Sequence, residues 1–196
     1  MSKIAVFLAP GFEEIEALTV VDLCRRVGIE VTMAAVADNM AEEAGADGND
    51  TAGVLVTGSH GISVRTDAIL EAVDFDSLDM LVLPGGMPGT KNLEACETLM
   101  AQLDVFYKSG KNIAAICAAP SIFGHRGYLN GRKACAYPGF EGHLTGADVT
   151  GNPVEVSDHV ITSRGLGTAI PFALTIVEYL CGKERAEELA KGVVYK

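Results

Sequence analysis

Basic residues are scarce in this chain. Its 196 residues hold 15 Lys and Arg against 26 Asp and Glu, a net charge of −11 at pH 7. Phosphate binding needs clustered cations, so nucleic acid is not an expected partner, and neither is an anionic membrane surface. Long apolar runs are missing as well. The run in "MSKIAVFLAPGFEE" is broken at once by Pro10, Gly11 and the acids. It reads as a buried first strand, not as a secretory leader or a membrane span, and a cytoplasmic home is the expectation. No C-x-x-C occurs, and the five cysteines are an odd number in a chain that is not small. A disulfide framework or a zinc knuckle is therefore not expected. Neither G-x-G-x-x-G nor G-x-x-x-x-G-K-[ST] is present, which weakens any nucleotide reading. His60, His125, His143 and His159 show no ligand spacing, so no metal is expected.

What is present is apolar. The chain is 48% hydrophobic and 21% charged, enough to build one domain over residues 1–196 with a sizeable core. Short apolar runs alternate with helical patterns. "KIAVFLA", "IEVTMAAV", "DMLVLPGG" and "NIAAIC" read as buried strands, and "VLVT" with "ISVRTD" as a hairpin around Gly58–Gly61. "EIEALTVVDLCRRVG", "NLEACETLMAQLDVFYKSG", "APSIFGHRGYL", "TAIPFALTIVEYLCG" and "ERAEELAKG" read as helices, although Gly124 and Gly127 weaken the third. Residues 38–53, acidic and glycine-rich, read as a surface excursion. Continuous apolar strands alternating with helices mark a mostly parallel sheet covered on both faces. Ligands of such sheets bind outside the carboxyl ends of the strands. Three of those ends stand out: "LAPGFEEIE", "LPGGMPGT" and "AICAAPS".

Cys117 ends the strand "NIAAIC" among Ala115, Ala118 and Ala119. A tight turn around a nucleophile needs small neighbours, and a helix starting just after it would lower the thiol pKa. A buried cysteine acting as a small hydrophobe fits the spacing equally well. Glu13, Glu14 and Glu16 fall in the first turn of a helix, where acids complement the dipole and one can cap. Glu16, flanked by Ile15, Ala17 and Leu18, sits on a different face from Glu13; desolvated there, its pKa would rise. Gly85 and Gly86 would let backbone approach a ligand, with the N–H groups of Gly86 and Ala118 aimed at a developing oxyanion. Cys24 and Cys181 are expected in the core and Cys135 in a strand.

Taken together, "LAPGFEEIEA", "VLPGGMPGTKNL", "IAAICAAP" and "ITSRGLGTAIPFALTIVEYLCGKE" resemble the ThiJ/PfpI superfamily, in particular its DJ-1 branch, in the same order along nearly the whole chain. The resemblance implies a flavodoxin-like three-layer α/β sandwich with the cysteine on a nucleophile elbow, usually a homodimer. It places Cys117 at the reactive cysteine and Glu16 at its protonated glutamate partner. Gly86 and Ala118 fall at the oxyanion amides, and Arg26 at an arginine near the dimer interface. The implied activity is cofactor-free conversion of a small reactive carbonyl, methylglyoxal or glyoxal, to the hydroxy acid, or repair of early glycation adducts. Alternatives are a redox sensor or chaperone-like stress protein acting through a Cys117 sulfinate, and an amidase or hydrolase of the PfpI type. Three departures matter. Ala118 stands where protease-like relatives carry histidine, Tyr137-Pro138 matches a frequent His-Pro, and Leu166 replaces a frequent proline. Tyr137 is thereby a candidate substrate contact, since a phenol can still donate a hydrogen bond.

Overall fold

The computed structural model describes residues 1–36 and 53–195. Except for Gly53, the acidic excursion expected over 38–53 lies outside the described residues. Eleven strands are formed among them: β1 Lys3–Leu8, β2 Glu30–Ala35, β3 Leu55–Thr57, β4 Ser63–Arg65, β5 Ala68–Ile69, β6 Met80–Leu83, β7 Asn112–Ile116, β8 Lys133–Ala134, β9 Asp148–Val149, β10 Val154–Ser157 and β11 Val160–Ser163. The α-helices are α1 Glu14–Arg26, α2 Gly89–Ala95, α3 Glu97–Ser109, α4 Pro120–His125, α5 Ala169–Cys181 and α6 Lys183–Gly192.

Seven strands make one sheet in the order β10-β11-β7-β6-β1-β2-β5. Every pairing in it is parallel except β10 with β11. Alternate residues of one strand feed two separate cores, as the two-residue period of a strand requires. Ile4, Val6 and Leu8 of β1 pack with Val20 and Cys24 of α1 and with Phe172 and Ile176 of α5. Ala5 and Phe7 pack on the other face with Leu93 of α2, Leu103 and Phe106 of α3, and Phe123 of α4. The result is a three-layer α/β sandwich. Each buried Leu, Ile or Phe contributes roughly 1.5–3 kcal/mol of burial free energy. The strands run β1-then-β2 to one side and β6, β7, β11 to the other, so the order reverses between β1 and β6. A crevice opens at such a reversal, outside the carboxyl ends.

The hairpin forms as expected, with β3 and β4 antiparallel. Four expectations differ from the structure. Cys135 lies just past β8, which ends at Ala134, and the helix read through Leu129 ends at His125. The segment read as one helix from Asn92 to Ser109 is two, because Cys96 takes an extended conformation (φ −78°, ψ 100°) between α2 and α3. Cys181 is exposed, not in the core. It closes the last turn of α5, beyond the part of that helix that faces the sheet; Cys24, on α1, is fully buried as expected.

Candidate active site

The carboxyl ends of β1, β6, β7 and β11 bring four loops together. Cys117 follows β7 with φ +67°, a left-handed conformation that costs a non-glycine residue on the order of 1–2 kcal/mol. Its neighbours hold it there. Its N–H donates to the Ser163 carbonyl at 3.0 Å, and its carbonyl accepts from the Tyr137 N–H at 2.9 Å. Ala118 and Ala119 are buried, so the small side chains that flank the cysteine are a packing requirement of this turn. Cys117 itself is half-buried and accessible.

Three successive acids of the "PGFEEIEA" stretch are buried, and each has a different task. Glu13 is the N-cap of α1, its Oε2 accepting from the Glu16 N–H at 2.7 Å. Glu14 turns to the β3–β4 hairpin. Its Oε1 accepts from the His60 N–H at 2.8 Å and the Ile62 N–H at 3.4 Å, and its Oε2 lies 2.9 Å from His60 Nδ1. These donors hold the Glu14 carboxyl below the usual carboxylate range despite its burial. Glu16 points the other way, into the crevice. Its Oε2 accepts from the Gly85 N–H at 2.9 Å, while its Oε1 is buried without a hydrogen-bond partner. The Cys117 thiol is in interaction range of this carboxyl, without an aligned hydrogen bond between them.

Gly85 has a steric reason. A Cβ there would stand 2.5 Å from Cys117 Cβ and 2.8 Å from Glu16 Oε2. Thiol and carboxyl can share the space only because residue 85 has no side chain. Gly86, at φ +90°, is pressed on Gly11 and Glu13 backbone in the same way.

Burial pushes the Glu16 carboxyl up, to about 7, with the neighbouring Glu13 charge adding to the rise. That matches the expectation for a desolvated acid. The thiol does not match. Burial and the Glu16 carboxylate push Cys117 up, to about 12, instead of lowering it. The helix expected to start directly after it begins only at Pro120 and has six residues, so its dipole is short and its first position offers no N–H. The backbone N–H groups of Gly86 and Ala118 favour the thiolate, but burial outweighs them. Each group is thus a cause of the other's shift, so Glu16 and Cys117 titrate as a coupled pair.

Tyr137 is exposed at the rim, its ring beside Gly165, where a Cβ would come 3.1 Å from Cδ2. Leu166 is exposed on the same rim, and its backbone N–H lies near enough to Glu16 to favour the charged form. Arg26 is not part of the crevice. It lies at the exposed end of α1 and pairs with Asp22 at 2.7 Å.

Spacing missed one group that the fold assembles. Glu13, Glu14 and His60 bring donor atoms within 4.8 Å of one another. Their lone pairs are largely committed to the helix cap and the hairpin, so this cluster is a clamp holding the hairpin against the first turn of α1, which carries Glu16.

The model of the DJ-1/PfpI family matches residues 2–179 of this sequence. The chain belongs to the DJ-1/PfpI family. Among DJ-1 relatives it is 38% identical to Protein dj-1beta of Drosophila melanogaster, over 99% of this chain and 98% of that protein. It is 34% identical to a protein of Caenorhabditis elegans named glutathione-independent glyoxalase DJR-1.2, over 96% and 95%. It spans only 42% and 44% of the length of the DJ-1 homologues B and A of Arabidopsis thaliana. The solved structure of oxidized Toxoplasma gondii DJ-1 superposes with a TM-score of 0.88 at 36% identity, over 100% of this chain and 99% of that one.

Proposed function

We propose that this DJ-1/PfpI chain is a cysteine-dependent, cofactor-free glyoxalase or deglycase acting on small α-oxoaldehydes such as methylglyoxal or on early glycation adducts. The observation that carries the reading is the pairing of a half-buried thiol with a buried carboxyl whose Oε1 has no partner and whose pKa stands at about 7. A general acid–base works best when its pKa lies near the working pH. The name of the nematode relative supports the same chemistry.

In this reading the pair passes its proton from Cys117 to Glu16, and the thiolate attacks the aldehyde carbon. A C–S bond forms, and the aldehyde oxygen takes the proton from Glu16 to complete a hemithioacetal. The N–H groups of Gly86 and Ala118 hold the oxygen while it carries charge. Glu16 carboxylate then removes the proton from that carbon, giving an enediolate; the hydroxyl proton passes from the first oxygen to the second, and Glu16 returns its proton to the adjacent carbon. The product is a lactoyl thioester. Water hydrolyses it to lactate and frees Cys117. Tyr137 and Leu166 form the rim past which substrate enters.

The test is lactate formation from methylglyoxal with no added thiol. Wild type is expected to form lactate, and Cys117→Ser to lose at least a hundredfold in rate. Equal activity of the two proteins contradicts the reading.

A second reading, oxidative-stress sensing, rests on the same amides. The N–H groups of Gly86 and Ala118 beside the sulfur favour a charged sulfinate as they favour thiolate. Graded peroxide followed by mass spectrometry is expected to add two oxygens selectively at Cys117, and uniform oxidation of all five cysteines counts against sensing. A PfpI-type amidase is the weakest reading, because Ala118 occupies the position where a histidine would serve it.

We further propose a single domain that works as a homodimer. Exposed Ile15 and Ile170 flank a groove lined by Leu18, Asp22, Leu23 and Arg26, a surface suited to a second copy. Five free cysteines among the described residues fit a reducing compartment such as the cytoplasm. No helix among the described residues is long and apolar enough to cross a membrane.

A further inference from the structure

We propose that His125 and His143 form a surface site for a divalent transition-metal ion of the zinc class, with Glu94 as its supporting carboxylate. The two histidines are far apart in sequence, yet His125 Nε2 lies 3.0 Å from His143 Nδ1. That separation is close to the distance between two nitrogens bound to one tetrahedral zinc ion, each about 2.0–2.1 Å from the metal.

Backbone packing sets the approach. His125 ends α4, and His143 ends the 3-10 turn Glu141–His143. Between them Gly124 touches the turn directly: a Cβ on it would stand 2.0 Å from the His143 carbonyl oxygen and 2.8 Å from Leu144 Cα. The glycine that weakens the helix pattern is the one that lets α4 and the turn meet. The rings are further restrained by an edge-on contact with each other, centroids 5.2 Å apart, and by Phe140 packed on His143, centroids 5.8 Å apart.

Electrostatics then selects the tautomer. Glu94 Oε1 lies 2.7 Å from His125 Nδ1. A carboxylate only accepts, so Nδ1 carries the proton and the Nε2 lone pair faces His143. This is the carboxylate–histidine arrangement that orients metal-binding imidazoles and raises their basicity. In the metal-free state the Nδ1–H of His143 donates to His125 Nε2. On binding, His143 carries its proton on Nε2 instead, both exposed rings turn so that the facing nitrogens converge on the ion, and no net proton is lost. Water completes the tetrahedron. The site is separate from Cys117 and uses none of its groups.

The experiment is a Zn2+ titration of the 15N-labelled full chain, followed through the ring nitrogens of its four histidines. His125 Nε2 and His143 Nδ1 are expected to shift together and saturate at one equivalent, with His60 and His159 unmoved. Glu94→Gln is expected to weaken this binding by about tenfold, and His143→Ala to abolish it. Zinc taken up by thiols with both ring signals unmoved overturns the proposal. So does a shift confined to His60, or unchanged affinity in His143→Ala. The wild-type spectra decide the matter even if a variant folds poorly.

Discussion

The Gly85 N–H donates to Glu16 Oε2 at 2.9 Å and leaves Oε1 without a hydrogen-bond partner. One backbone amide thus divides the carboxyl into an anchored oxygen and a free one. The glycine that supplies the amide also vacates the space in which the thiol sits.

Gly85→Ala tests that arrangement. Its Cβ would meet Cys117 Cβ at 2.5 Å and Glu16 Oε2 at 2.8 Å, and neither can retreat without leaving the crevice. Overpacking of this kind costs about 1–3 kcal/mol. Thermal unfolding is expected to show that loss, and lactate formation to fall at least tenfold. Wild-type activity in this variant contradicts the geometry.

Glu16 makes stability depend on pH with a definite sign. Its carboxyl is raised from 4.5 to about 7 on folding. The native state therefore holds this proton more tightly than the unfolded chain does. The stability it contributes is full below about 4.5 and is lost as pH rises through about 7. Glu16→Gln removes the titration. Relative to wild type, the variant should gain stability between pH 5 and pH 8, by roughly 3 kcal/mol at most. Urea unfolding at the two pH values checks this; a difference that does not change with pH contradicts it.

Glu14→Ala tests the hairpin clamp. The substitution strips acceptors from the backbone N–H groups of His60 and Ile62 and from the His60 ring. Unsatisfied donors cost about 1–3 kcal/mol each when buried, and these are partly exposed, so the low end applies. Hydrogen exchange is expected to rise across residues 55–65 before it rises in β1 or β6. Unchanged protection of the hairpin contradicts the role.

Much of this was legible in the residues. β1, β2, β6 and β7 are continuous apolar runs because both faces of the sheet are covered, and such runs are hard to mistake. Cys117, Glu16, Gly85, Gly86 and Ala118 converge because strand ends of a parallel sheet lie on one edge. Properties that depend on distance or burial were not legible. The raised thiol needs the depth of the crevice and the length of α4, neither of which "ICAAPS" states. The His125–His143 pair exists only through the Gly124 contact, which no spacing rule records. The break at Cys96 and the exposure of Cys181 follow from where helices meet the sheet, which periodicity leaves open.

The central claim is that Cys117 and Glu16 are a single proton-sharing device. The most direct measurement is the rate of Cys117 alkylation by iodoacetamide against pH, read by peptide mass spectrometry in wild type and in Glu16→Gln. Below about 7 both groups keep their protons and the thiol is unreactive. Above it one proton is left between them, and the thiolate form is populated in a proportion that does not change until the second proton leaves near 12. Wild type is therefore expected to show a rise centred near pH 7 and then a plateau. Glu16→Gln is expected to lose the inflection near 7. A wild-type profile that climbs without an inflection near 7, or a Glu16→Gln profile that keeps it, contradicts the account.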